Sequence, residues 1–147
     1  MATYLLDTNI LLSILEKSEE SDADSQRVKS KLQSALEENS TILISPVVFY
    51  EIMRGLYHKN VPEQIKALEK LVSDFNWCDF SRDTWDTGAK LWAKCRKEGK
   101  PTAGSNLFDK SIDVDVLIAA QAQEQEAVVV TKNIVHFKYL GVSYESW

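Results

Sequence analysis

Tyr4-Leu5-Leu6-Asp7-Thr8-Asn9-Ile10-Leu11-Leu12 is the stretch whose reading decides the fold. An apolar run ends in a carboxylate, a hydroxyl and an amide, and aliphatic residues resume at once. A run bounded in this way predicts a short buried strand, Thr3 to Leu6, feeding a helix that begins near Thr8 or Asn9. Asp7 then stands at the carboxyl end of a strand. Open parallel sheets bind ligands at such ends, where the order of strands reverses. An aspartate in that place is also a good helix cap, so its role turns on what the rest of the chain brings to it.

The same alternation runs outward from this stretch. Glu16 to Asp24 reads as a polar loop, followed by a weakly amphipathic helix through Val28, Leu32, Ala35 and Leu36. Thr41-Ile42-Leu43-Ile44 is a second short β-branched run, and Ser45-Pro46 opens a helix with a capping residue and a first-turn proline. Its apolar positions Val48, Ile52 and Leu56, flanked by Val47 and Met53, set Glu51 beside the buried stripe. Val61-Pro62-Glu63 starts a helix with Ile65, Leu68, Leu71 and Val72 at helical spacing, and Phe75 to Phe80 reads as a short strand. Arg82 to Lys97 reads as a helix with Trp85, Ala89, Trp92 and Cys95 on one face, as core or interface, closed by Gly99 and Pro101. Lys100 to Lys110 reads as a long irregular loop. A helix then starts near Asp113 and turns Val114, Ile118 and Ala122 to the sheet. Ala127 to Thr131 is the clearest strand, followed by a turn or short helix, Lys132 to Phe137, and a last strand near Val142 to Tyr144. Strands alternating with helices predict an α/β fold, a three-layer α/β/α sandwich on a mostly parallel sheet of about five strands. Residues 1–147 are expected to form a single domain.

Composition narrows the function classes. With 44% hydrophobic and 27% charged residues the chain has the balance of a soluble globular protein, and no apolar run approaches the roughly 18 residues of a membrane span. No secretion signal is read ahead of Asp7, and a cytoplasmic location is expected. Cys78 and Cys95 fit no metal spacing and read as buried free thiols, which suits a reducing compartment. The net charge of −5 excludes nucleic-acid binding through the global field, but not a nuclease whose carboxylates hold cations. Lys90, Lys94, Arg96, Lys97 and Lys100 form a basic run that either meets phosphates or is a solvated helix face.

Three acids recur at comparable places: Asp7 after the first strand, Glu51 in the helix after the second, and Asp115 near the start of a later helix. Thr131 and Asn133 follow the fourth strand in the same manner. If parallel strands carry these to one sheet edge, the carboxylates converge. Like charges that close raise one another's pKa unless a cation joins them, and an oxygen-rich site suits Mg²⁺ or Mn²⁺ rather than zinc.

These residues carry a resemblance. Leu6-Asp7-Thr8-Asn9, Glu51 within Ser45-Pro46-Val47-Val48-Phe49-Tyr50-Glu51-Ile52-Met53-Arg54-Gly55, Asp115-Val116-Leu117-Ile118-Ala119-Ala120, and Thr131-Lys132-Asn133-Ile134-Val135-His136-Phe137 follow in this order along the chain. In these motifs the chain resembles PIN-domain ribonucleases of the VapC type, the toxin half of a toxin–antitoxin pair. The resemblance implies a Mg²⁺- or Mn²⁺-dependent endoribonuclease in which Asp7, Glu51 and Asp115 hold the metal. It implies that Thr8 and Asn9 orient Asp7, and that Thr131 and Asn133 support the far side. It further implies an RNA substrate, a cognate antitoxin that blocks the site, and a homodimer formed through the apolar faces of the second helical pair. Arg54, Lys94, Lys97 and Lys100 are the candidate RNA contacts. The chain departs from the family in a long segment from Pro101 to Val114, in Asp113 as a competitor of Asp115 for the ligand role, and in His136 where some members carry a further acid.

Two other readings are weighed against this one. A phospho-acceptor protein, haloacid-dehalogenase-like or receiver-like, is disfavoured because Asp7-Thr8-Asn9 lacks a second aspartate and Asp7 lies too near the amino end. A PIN fold reduced to an inactive binding module is disfavoured by the three retained acids.

Overall fold

The computed structural model describes residues 1–16, 22–99 and 110–147, the side chains of Lys110 and Ser111 excepted. Strand β1 (Thr3–Leu6) is the middle of a five-stranded sheet of order β3-β2-β1-β4-β5, in which β2 is Thr41–Ile44, β3 Asn76–Trp77, β4 Val128–Val130 and β5 Tyr144–Glu145. All four pairings are parallel, with Leu5 opposite Leu43 on one side and Val129 on the other. A middle strand has no solvent face, which is why Leu5 and Leu6 are both fully buried in a continuous apolar run rather than an alternating one.

Helices α1 (Thr8–Leu15) and α2 (Ala23–Glu37) connect β1 to β2, and α3 (Pro46–Lys59) and α4 (Pro62–Asp74) connect β2 to β3. Helices α5 (Arg82–Glu98) and α6 (Lys110–Gln125) then carry the chain back across to β4, and α7 (Ile134–Leu140) leads to β5. Right-handed crossovers that step first one way and then the other from β1 place α1 to α4 on one face and α5 to α7 on the other. The packing agrees: α1 touches α2, α3 and α4, whereas α6 touches α5 and α7. Helices α3 and α6 also meet, at the carboxyl edge of the sheet. The chain reverses direction between β1 and β4, and this is the crevice to which the strand-end residues are delivered.

Several expectations shift. The third strand is only Asn76–Trp77, and the short helix after β4 runs Ile134–Leu140, later than the span Lys132 to Phe137. The final strand is Tyr144–Glu145, and the helix carrying Asp115 begins already at Lys110. Ser45 takes the N-cap position of α3, yet its hydroxyl makes no capping bond and is buried without a partner among the described residues. Leu36 is exposed, so α2 buries a narrower stripe of Val28, Leu32 and Ala35. Helix α5 is rotated from the expected face. Thr84, Gly88 and Cys95 are its buried line, and Trp85, Ala89 and Trp92 lie outside. The cause is close approach: a Cβ on Gly88 would stand 2.8 Å from Leu117 Cδ2, leaving no room there for an indole. Thr84, fully buried, donates its hydroxyl to Glu124 of α6 at 2.7 Å, and a reciprocal capping box with Ser81 fixes the helix start. Cys78 and Cys95 are buried free thiols, as expected. The expected loop falls on residues 100–109, outside the described residues.

Candidate metal-binding cleft at the carboxyl edge of the sheet

A cleft of about 190 Å³ opens where β1 and β4 end, lined by Asp7, Thr8, Asn9, Glu51, Val114, Asp115 and Asn133. Three acids line it, from three elements far apart in sequence, and among the described residues no cationic side chain does.

Asp7 reaches the cleft because its own N–H extends the β1–β4 ladder, donating to the Val130 carbonyl at 3.0 Å, while its carbonyl starts α1. One carboxylate oxygen accepts the Thr8 N–H at 2.7 Å and the other accepts the Thr131 hydroxyl at 2.7 Å. Asp7 is therefore the N-cap of α1 and a cleft residue at once. Thr131 is fully buried, and its hydroxyl also accepts the Asn133 N–H at 2.8 Å, so the turn after β4 is tied to Asp7 through one oxygen.

Asp115 projects from the second turn of α6 and is 4% exposed. Its Oδ2 lies 3.1 Å from Asn133 Nδ2 and 2.5 Å from His136 Nδ1. Asn133 Nδ2 also stands 2.7 Å from His136 Nδ1, so the three side chains form one closed polar cluster. Burial first, and then the charge of Asp115, push the Asp7 carboxyl above the usual carboxylate range, opposed by the bonds from Thr131 and Thr8 and by His136. The two aspartates thus feel one another in a desolvated place.

Glu51 stands further out. The Thr8 hydroxyl donates to its Oε1 at 2.9 Å, and Arg54 approaches its Oε2 at 3.8 Å. Asn9 lines the cleft beside Asp7. Asp113, two residues earlier on α6, is exposed and does not line the cleft.

The expected RNA contacts separate. Arg54 sits at the rim, stacked over the Tyr50 ring at 5.3 Å. Lys94 lies over Tyr139 at 5.6 Å, and Lys97 is exposed on α5; neither lines the cleft. Lys100 lies outside the described residues. The contact between His136 and Asp115 was not legible from the motif, since spacing alone does not say that the first turn of α7 folds back onto α6. A further link is Lys132, whose ammonium donates to the buried Ser13 hydroxyl at 3.1 Å and holds the β4–α7 turn against α1.

The all-oxygen donor set and the mutual stress of Asp7 and Asp115 fit a hard divalent cation. Among the described residues no three acids, histidines or cysteines are drawn close enough to make a ready cluster. Asp7 and Asp115 form the inner pair, and Glu51, tethered to Thr8, is the acid that has to move in or act through water.

A five-stranded parallel sheet with an acidic cleft at this reversal point defines the PIN architecture, and the PIN domain profile matches residues 4–140. The chain belongs to the PIN-domain family. It is 29% identical over 146 residues to Ribonuclease VapC2 of Rickettsia felis, spanning 98% of this chain and 97% of that protein. The crystal structure of VapBC2 from Rickettsia felis bound to a promoter DNA fragment superposes with a TM-score of 0.76 at 26% identity, covering 99% of this chain and 98% of that one. VapBC-1 from nontypeable Haemophilus influenzae shares the fold, with a TM-score of 0.73 at 23% identity over 99% and 98% of the two chains.

Proposed function

We propose that this chain is a Mg²⁺- or Mn²⁺-dependent endoribonuclease and the toxin of a toxin–antitoxin pair. The observation that carries the reading is the cleft itself, three acids with two of them buried aspartates and, among the described residues, no cationic side chain in its lining. Similarity to a protein named Ribonuclease VapC2 over nearly the whole chain supports RNA as the substrate, and the solved VapBC relatives support a cognate antitoxin.

Asp7, Asp115 and Glu51 would hold the cation. Bound there, it supplies charge stabilisation at the phosphodiester and favours water over the ribose hydroxyl as the attacking group. The chain's residues do the positioning. Thr8 and Thr131 fix the two oxygens of Asp7, Asn133 and His136 fix Asp115, and the Thr8 hydroxyl ties Glu51 to the same frame. His136, its Nδ1 2.5 Å from Asp115 Oδ2, helps to hold that carboxylate in position for a cation. Arg54, at the rim and half out in solvent, is placed to meet an incoming phosphate, with Tyr50 beneath it as a stacking surface.

The protein would act in the cytoplasm as a homodimer, and no helix among the described residues is long and apolar enough to cross a membrane. The test is cleavage of a mixed RNA pool by the purified chain with Mg²⁺, with EDTA, and with Asp7→Asn. Cutting only in the first case is expected; equal cutting in all three removes the metal site from the reaction.

A further inference from the structure

The outer face of α3 leads away from the acidic cleft. Its exposed side chains are Tyr50, Arg54, Tyr57, His58 and Lys59, with no exposed aliphatic group among them. Glu51, the only acid of this helix, lines the cleft, and beyond it the helix adds Arg54, His58 and Lys59 in a chain of net charge −5. With about 3.6 residues per turn, the outer side chains fall into two neighbouring rows. Tyr50 and Tyr57, seven residues apart, form one row; Arg54 and His58, four apart, form the next, on the side of Glu51. The rows touch. The Arg54 guanidinium lies 5.3 Å from the centre of the Tyr50 ring and 3.8 Å from Glu51 Oε2, which joins them to the cleft. Both phenol rings stay open to solvent, Tyr50 at 58% exposure and Tyr57 at 64%.

We propose that α3 is a track for an unpaired strand of the RNA, which enters the cleft past Glu51 with its bases on the tyrosine row and its phosphates on the Arg54–His58 row. The proposal rests on the ribonuclease reading and assigns it a substrate form, a single strand on one side of the scissile phosphate. Every base has a face that stacks on an aromatic ring, and a guanidinium beside the ring meets the phosphate without regard to sequence. The spacing sets the requirement for a single strand. Tyr50 and Tyr57 stand about 10 Å apart along the helix axis, about three times the 3.4 Å per nucleotide of a stacked strand. A strand must therefore unstack to place a base on each ring, which a paired helix cannot do. Tyr57 is the decisive residue, because it lines no part of the cleft. A protein segment is the competing occupant, and α3 offers it only the two rings to bury, with no exposed aliphatic side chain beside them.

The test is steady-state cleavage by the full chain in Mg²⁺ of a short unstructured RNA of mixed sequence, and of the same RNA annealed to its complement, with KM and kcat read separately. Tyr57→Ala is expected to raise KM for the single strand about 5-fold or more, with kcat within about 2-fold and an unchanged circular dichroism spectrum, while Tyr57→Phe, which keeps the ring, stays within about 2-fold of wild type. The annealed RNA should be a poor substrate for wild type and no poorer for Tyr57→Ala. An unchanged KM in Tyr57→Ala, a loss confined to kcat, or an equal defect in Tyr57→Phe overturns the track and keeps the ribonuclease. A rise in KM accompanied by a change of mass in light scattering makes this face a protein contact and overturns the track as well. If wild type cuts neither RNA, fluorescence anisotropy with the same two RNAs decides. Single-strand binding weakened by Tyr57→Ala then keeps the track while the ribonuclease reading falls, and no binding overturns both.

Discussion

Asp7 has two tasks that pull in different directions. As the cap of α1 it accepts hydrogen bonds that favour the charged form, while burial and Asp115 favour the neutral one, and the balance is upward. A carboxyl whose pKa is higher folded than unfolded binds its proton more tightly in the native state. Its stabilising effect is therefore complete below the ordinary value of 3.8 and is lost as pH rises through the raised one. At neutral pH without metal the charge is a liability. Asp7→Asn should then leave metal-free stability in urea unchanged or raised at pH 7, with less advantage at pH 4; a clear loss at pH 7 would show that the capping bonds outweigh the charge. Asp7→Asn, Asp115→Asn and Glu51→Gln should each lower cleavage by at least about 100-fold with the fold retained. Asp113→Asn should stay within a few-fold, because that side chain points away from the cleft. If Asp113 proves essential and Asp115 dispensable, the assignment fails by two residues. His136→Ala should weaken Mg²⁺ affinity by about 10- to 100-fold through loss of Asp115 orientation, read by metal titration of tryptophan fluorescence rather than by turnover.

At the scale of elements, α5 shows where pattern reading succeeds and fails. Helical spacing correctly marked a helix from Arg82 and the burial of Cys95, but Trp85 and Trp92 were read only as core or interface, and the structure buries Thr84 and Gly88 with Cys95 and leaves both tryptophans outside. Hydrophobicity cannot see that α6 brings Leu117 Cδ2 to 2.8 Å from where a Cβ at residue 88 would stand. Gly88→Val should accordingly destabilise the chain by about 1 to 3 kcal/mol through overpacking against Leu117, measured by denaturant unfolding. A neutral result would mean that Leu117 simply turns aside. The strands were legible because β-branched runs bounded by polar residues leave little choice, and the acids at their ends were legible for the same reason. Asp115 was preferred over Asp113 on the register of its motif alone, whereas the helix phase supplies the physical reason, and the fold of His136 onto Asp115 needed the tertiary structure.

For the whole molecule, the parallel sheet explains why residues from positions 7, 51, 115, 131 and 133 share one edge. Asp7, Thr131 and Asn133 follow strands, Glu51 lies in the second turn of the helix after β2 and Asp115 in the second turn of α6, which leads into β4, and every parallel strand points the same way. The crevice between β1 and β4 is where the chain reverses its stepping, so residues just past these two strands enter it directly, and Glu51 of α3 and Asp115 of α6 reach it from the flanking helices. On the proposed reading, a net charge of −5 would leave RNA affinity to local features such as Arg54 at the rim and to a cation held by the acids. The central claim is that these acids serve a metal-assisted attack by water on RNA. Its most direct measurement is the chemistry of the cut ends, taken with an end-specific ligation assay on products made in Mg²⁺. We expect 5′-phosphate and 3′-hydroxyl ends, none formed in EDTA; 2′,3′-cyclic phosphate ends, or the same ends made in EDTA, would contradict the account.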